Sequence, residues 1–294
     1  MKKSICMLGC AMIGVLAACS SDSAYKPADP ALVAAAEAAV ITPSEEVSAQ
    51  IQQRFANELR ILKENNMTRE TIKDADGSMW YCQGVYNEDQ PGKPAIVVFL
   101  HGIGERGDEN LASIRLAVPD IVKQIKDAKQ KVILLAPECP SSQLWAPLHR
   151  GGTGAKLTEK PAQALGLVPV LIQKKIEEFG ADPDRVYITG LSMGGYGTWD
   201  LVMRFPKRFA AAVPICGGAD IKQAALIKDL PIWAFHGDSD TAVPTYRSQS
   251  MIAALKEAGG SPKYTEFPQC GHNAWGPAIE TPELLPWLFS QQLK

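Results

Sequence analysis

Histidine is scarce in this chain, with only four among 294 residues, and aromatic residues make up just 7%. No Cys-x-x-Cys pair and no His/Cys cluster has metal-ligand spacing, so a structural zinc site is not expected. Charge of one sign is missing too. Lys+Arg number 30 against 32 Asp+Glu, a formal net charge of −2, and no basic stretch is dense enough to suggest nucleic-acid binding. The apolar stretch at residues 5–18 is too short to span a bilayer. Neither an internal repeat nor a composition break marking a second domain is visible. A hydrophobic content of 46% is a globular value.

The N-terminus reads as a targeting segment rather than as fold. Lys2 and Lys3 precede the short apolar stretch, which ends in 16-LAAC-19. This resembles a bacterial lipoprotein signal with its lipobox. The resemblance implies export, cleavage of residues 1–18 and acylation of Cys19, which would tether the protein to a membrane. Ser20 after the cysteine suits the outer membrane by analogy with lipoprotein sorting. Roughly 275 residues then remain, enough for one large domain. Cys82, Cys139, Cys216 and Cys270 stay in a compartment that permits disulfides. They allow three full pairings, among which sequence does not choose, and free buried thiols are equally compatible.

Residues 19–41, rich in Ala, Ser, Asp and Pro, read as a tether. Thr42-Pro43-Ser44-Glu45 has the form of a helix start, and Ile51, Phe55, Leu59 and Leu62 follow at helical spacing. A helix over residues 42–66, packed on the main domain, is the expectation. Beyond it, residues 79–86 have strand-like composition. Apolar runs then recur at 95–100, 132–136, 185–189, 209–215, 231–235 and 263–267, with helical stretches between them. Strands apolar on both faces, alternating with helices, predict an α/β domain over 67–294 whose mostly parallel sheet is covered on both sides.

The chemistry gathers in the turns. The segment 190-GLSMGG-195 places Ser192 between a predicted strand and a predicted helix, with glycines at −2 and +2. Such a turn lifts a serine hydroxyl above the sheet edge, and side chains at the glycine positions would collide. The N–H of Met193, at the helix start, is a candidate donor to a developing oxyanion. A serine needs a base, and the base an orienting acid. His272, in 269-QCGHNAW-275, follows the last predicted strand, while 235-FHGDSDTAVP-244 offers Asp238 and Asp240. After an earlier strand, 99-FLHGIGERG-107 nominates the Ile103 N–H as second oxyanion donor. His101 and His236 read as loop supports, and His149 has no assignable chemistry. Glu105, Arg106 and Asp108 read as a self-satisfying loop network rather than a charged rim. Tyr196, Trp199 and Phe205 are expected in the core around the helix after Ser192. Trp145 and Trp275 are candidates to line an acyl or sugar pocket, Trp275 the better placed; a buried tryptophan is an equal reading for Trp145.

The segments HGIGERG, GLSMGGYGTWD, FHGDSDTAVP and GHNAW, spread over about residues 95–290, together resemble the α/β-hydrolase superfamily. The resemblance is to its esterase/prolyl-oligopeptidase-like branch, which includes feruloyl and acetyl-xylan esterases. It implies the α/β-hydrolase fold, Ser192 as nucleophile, His272 as base and Asp240, rather than Asp238, as the acid. It also implies a serine carboxylic-ester hydrolase with no metal or organic cofactor, acting on small or polysaccharide-linked acyl esters. The competing expectations are a prolyl-oligopeptidase-like peptidase and a noncatalytic binding lipoprotein on the same scaffold. Nothing in the chain supplies the large extra domain with which such peptidases select short peptides. A thiol-nucleophile hydrolase is disfavoured, because the residue in the turn is serine.

Overall fold

In the computed structural model, residues 45–75, 77–107, 111–147 and 156–293 are described. The signal, the tether, Cys19, the 42–44 helix start, Asp108 and His149 lie outside them. Nearly all described residues belong to one compact unit, Ala49–Lys294.

The apolar runs form strands, all but the last of them buried on both faces. β3 (Ala95–Leu100), β4 (Val132–Pro137), β5 (Val186–Leu191), β6 (Ala211–Ile215), β7 (Trp233–Gly237) and β8 (Lys263–Phe267) run parallel to one another. β1 (Thr68–Asp74) and β2 (Gly77–Tyr86) form an antiparallel pair that joins the sheet where β2 meets β4. The eight strands lie in the order β1-β2-β4-β3-β5-β6-β7-β8. Alternate side chains separate two cores. Ile96, Val98 and Leu100 of β3 pack with Leu171 of α3 (Gln163–Phe179), Trp199 of α4 (Met193–Arg204) and Leu255 of α5 (Tyr246–Glu257). Val97 and Phe99 pack on the other face with Val122 of α2 (Val118–Asp127), Ala278 of α6 (Trp275–Ile279) and Leu288 of α7 (Leu284–Phe289). Helices therefore cover both faces, as a parallel sheet requires.

Several expectations need correction. β1, 68-TRETIKD-74, has no apolar pattern and buries only Ile72. It is held instead by Glu70, which accepts hydrogen bonds from the Tyr81 hydroxyl at 2.6 Å and the Gln83 amide at 2.7 Å and pairs with buried Lys175 of α3 at 3.3 Å. The helix α1 (Glu45–Glu64) forms, but Phe55 and Leu59 are each 44% exposed. What docks it is Glu58, whose Oε2 accepts the Leu111 N–H at 3.2 Å, together with half-buried Ile61 and Leu62. One of the expected helical stretches, residues 221–227, takes the tighter 3₁₀ form. Phe205 is exposed, whereas Tyr196 and Trp199 are buried as expected.

Substitution of fully buried Phe209 by alanine is expected to cost about 3–5 kcal/mol in urea unfolding, through lost transfer energy and the cavity left behind. Phe55→Ser should stay within about 0.5 kcal/mol of wild type despite its apolar residue.

Candidate active site

The loops at the C-terminal ends of the parallel strands all open on the same sheet edge, where open α/β sheets bind ligands. Between β5 and α4 a single residue, Ser192, makes the whole turn, with φ 55° and ψ −117°. Positive φ in a non-glycine residue is strained and persists only where the surroundings over-determine it. They do so here. The Ser192 N–H donates to Ile215 O at 2.9 Å, and its carbonyl accepts the Tyr196 N–H at 3.0 Å. A Cβ at Gly190 would strike the Gly194 backbone, and one at Gly194 would strike the Leu100 carbonyl. Both glycines are therefore steric requirements.

From the loop after β8, His272 Nε2 lies 2.9 Å from Ser192 Oγ, and its Nδ1 lies 2.7 Å from Asp240 Oδ2. A carboxylate only accepts, so the Nδ1 proton faces Asp240 and the Nε2 lone pair faces the hydroxyl. Asp240, in the loop after β7, uses Oδ1 to accept the N–H groups of Ala242 and Val243, each at 2.9 Å. Of the two aspartates the sequence offered, Asp238 is exposed and bonded to the Ser239 hydroxyl, away from this chain of contacts. Burial alone would raise the Asp240 carboxyl. Hydrogen bonds from His236 and His272 and from the Val243 N–H outweigh it and hold the group well below the usual carboxylate range.

The part played by His236 was not legible beyond loop support. Its ring is fully buried, with Nε2 at 2.9 Å from Val243 O and 3.2 Å from Asp240 Oδ2, and Nδ1 at 2.7 Å from Ser248 Oγ. The acid thus sits between two imidazoles. Cys216 completes a cluster of possible metal donors with His236 and Asp240, their ligand atoms within 4.8 Å of one another. Each is already engaged. His236 and Asp240 are hydrogen-bonded as described, and burial pushes the Cys216 thiol up to about 12. The cluster reads as support for the acid.

Beyond β3, Gly102 packs against Leu191, a neighbour of Ser192, and Ile103 begins a 3₁₀ turn, Ile103–Glu105. Neither the Ile103 nor the Met193 N–H has an acceptor among the described residues. His101 supports this loop as expected. Its Nε2 accepts the Cys139 N–H at 2.9 Å, so the proton is on Nδ1, which donates to Gly102 O at 2.7 Å. Burial lowers the imidazole to about 4, which keeps it neutral. Of the two readings of Trp145, pocket wall or buried residue, the second holds: it is fully buried behind the loop, donating its indole N–H to His101 O at 3.1 Å. Trp275 is half-buried with its ring edge-on to His272, centroids 6.0 Å apart. Arg106 does belong to a loop network, donating to the carbonyls of Ile103, Ser141 and Gln143. Glu105 is no part of a rim, being buried outright.

A mixed, mostly parallel eight-stranded sheet with helices on both faces and functional loops at its C-terminal edge is the α/β-hydrolase fold. Within it, the chain belongs to the phospholipase/carboxylesterase family, which it matches over residues 82–281. It is 26% identical over 197 residues to the carboxylesterase SOBER1 of Arabidopsis thaliana, covering 60% of this chain and 82% of the relative. It is 27% identical to acyl-protein thioesterase 1 of Neurospora crassa, covering 61% of this chain and 80% of that protein. Among solved structures, a thermostable esterase superposes with a TM-score of 0.70 at 37% identity, covering 78% of this chain and 64% of the esterase. A ferulic acid esterase shares the fold alone, with a TM-score of 0.57 at 16% identity. The protein is thus an enzyme of the carboxylesterase/thioesterase-type serine hydrolases.

Two outcomes follow from the site's electrostatics. Because the folded Asp240 carboxyl titrates below its unfolded value, its ionised form stabilises the fold fully above about pH 4 and progressively less as pH falls further. Melting curves should therefore show Asp240→Asn destabilised at pH 7, with the gap to wild type narrowing at pH 3. All four described cysteines are free thiols. Iodoacetamide on native protein should modify half-buried Cys270 first, and buried Cys82, Cys139 and Cys216 only after unfolding, as peptide mapping will show.

Proposed function

We propose that this chain is a carboxylic-ester hydrolase that works through an acyl-enzyme on Ser192. The observation that carries the reading is the unbroken chain Ser192 Oγ–His272 Nε2 and His272 Nδ1–Asp240 Oδ2, at 2.9 and 2.7 Å. His272 takes the Ser192 proton as Oγ attacks the ester carbonyl, and Asp240 stabilises the imidazolium that forms. The Ile103 and Met193 N–H groups hold the oxyanion, each contributing about 10²–10³-fold. His272 then protonates the departing alcohol. Water, deprotonated by His272, attacks the acyl-serine, and as the adduct collapses His272 returns that proton to Ser192 Oγ and the acid is freed. No cofactor enters any of these steps.

For the substrate we propose acyl esters on polysaccharide, of the feruloyl or acetyl class. Support comes from partial likeness to feruloyl esterase B of Neurospora crassa, 32% over 133 residues and 40% of its length. A second partial likeness is to a bifunctional acetylxylan esterase/xylanase of Neocallimastix patriciarum, 27% over 139 residues and 21% of its length. Trp275 beside His272 offers a flat apolar face to such a group. Export and anchoring through Cys19 complete the proposal, supported by 16-LAAC-19.

A fluorophosphonate probe should label wild type and not Ser192→Ala, whose ester turnover should fall by about 10⁴-fold or more. Folded wild type that resists the probe would sink the reading. Methyl ferulate and acetylated xylan should be turned over faster than a proline-containing aminoacyl amide; the opposite order would favour a peptidase. Radiolabelled palmitate should enter wild type in a bacterial host and not Cys19→Ala.

A further inference from the structure

Glu105 takes no part in the proton chain from Ser192 to Asp240, yet its carboxyl is fully buried two residues from Ile103. Oε2 accepts the Gly102 N–H at 3.0 Å, and the Glu105 N–H donates to Gly102 O at 3.2 Å. The His101 Nδ1–H reaches the same Gly102 oxygen at 2.7 Å. Both polar groups of Gly102 are therefore tied to buried partners. A trans peptide is planar, with its C=O and N–H opposed. Binding the Gly102 carbonyl on one side turns the Ile103 N–H to the other, and that N–H has no acceptor among the described residues. Gly102 itself lies against the Leu191 side chain, next to Ser192.

Glu105 is costly where it stands. Burial pushes the carboxyl up to about 7, with the N–H groups of Gly102 and Leu116 drawing it only part of the way back. What glutamate adds is one acceptor with the reach to bind the Gly102 N–H.

We propose that Glu105 is a positioning residue that, by holding Gly102, aims the Ile103 N–H at the oxyanion formed on the substrate. The inference rests on the reading of Ser192 as nucleophile and Ile103 as oxyanion donor. It locates part of the transition-state stabilisation in a buried carboxyl that touches neither substrate nor triad.

Glu105→Ala, Glu105→Asp and Glu105→Gln, compared with wild type, test it. Aspartate keeps the charge but is one methylene too short, whereas glutamine keeps the reach and an acceptor oxygen. The readouts are kcat and KM on p-nitrophenyl acetate, the Ki of an alkyl trifluoromethyl ketone whose serine adduct carries the oxyanion, and the melting temperature. The alanine and aspartate variants should lose about 10- to 100-fold in kcat, with KM within about twofold and Ki weakened in parallel. Glutamine should recover most of the loss. Unchanged kcat and Ki in a folded aspartate variant would overturn the inference, as would a loss confined to KM. Should alanine fail to fold, the aspartate–glutamine contrast decides alone. Wild type that a fluorophosphonate does not label at Ser192 overturns the nucleophile reading and this inference with it. Labelled wild type with unimpaired Glu105 variants overturns this inference only.

Discussion

One residue connects β5 to α4, and the rest of the site is measured from it. Ser192 closes the turn at φ 55°, a conformation that a side-chain-bearing residue holds only under constraint. The constraint comes from three strands at once. Ser192 is hydrogen-bonded to the end of β6, Gly194 is pressed against the last carbonyl of β3, and Gly190 makes room for Gly194. Because those contacts involve backbone atoms, they leave little play. The helix that follows is buried from Met193 to Met203, so the strained turn has a rigid anchor on its far side. The loops after β3 and β6 thereby stand in a set relation to the serine hydroxyl.

The electrostatics differ on the two sides of that serine. Asp240 is buried as an ion, and the structure surrounds it with donors: two N–H groups on Oδ1 and two imidazoles at Oδ2. Hydrogen bonding overcomes desolvation there, and the charge is stable. Glu105 is buried with only the Gly102 and Leu116 N–H groups to draw it down, and desolvation wins. Two carboxyls in one domain thus titrate on opposite sides of their ordinary values because of the number of donors each is given.

Local pattern and tertiary context divide the errors cleanly. The buried parallel strands were readable because each is apolar on both faces, a signal that needs no partner to interpret. β1 was not, since its place depends on Glu70 meeting Tyr81, Gln83 and Lys175, the last 105 positions away. The helical spacing of Phe55 and Leu59 suggested a docking face, but Glu58 is the side chain turned inward, because the Leu111 N–H needs an acceptor there. Trp145 was open between a pocket wall and the core, and burial with its indole N–H on His101 O decides for the core.

By itself the sequence determined the buried strands and the helices between them, the serine turn with its glycines, and the small set of residues from which a base and an acid had to come. Those are properties of short segments, in which periodicity and sterics act within a few residues. The choice of Asp240 over Asp238 was open from the residues alone and followed only from the family resemblance, whereas the second imidazole on the acid and the burial of Glu105 beneath the Ile103 turn were decided only by the tertiary structure. Each depends on which groups meet across the sheet edge, and chain separations of 32 and 80 residues collapse there to hydrogen-bond distance.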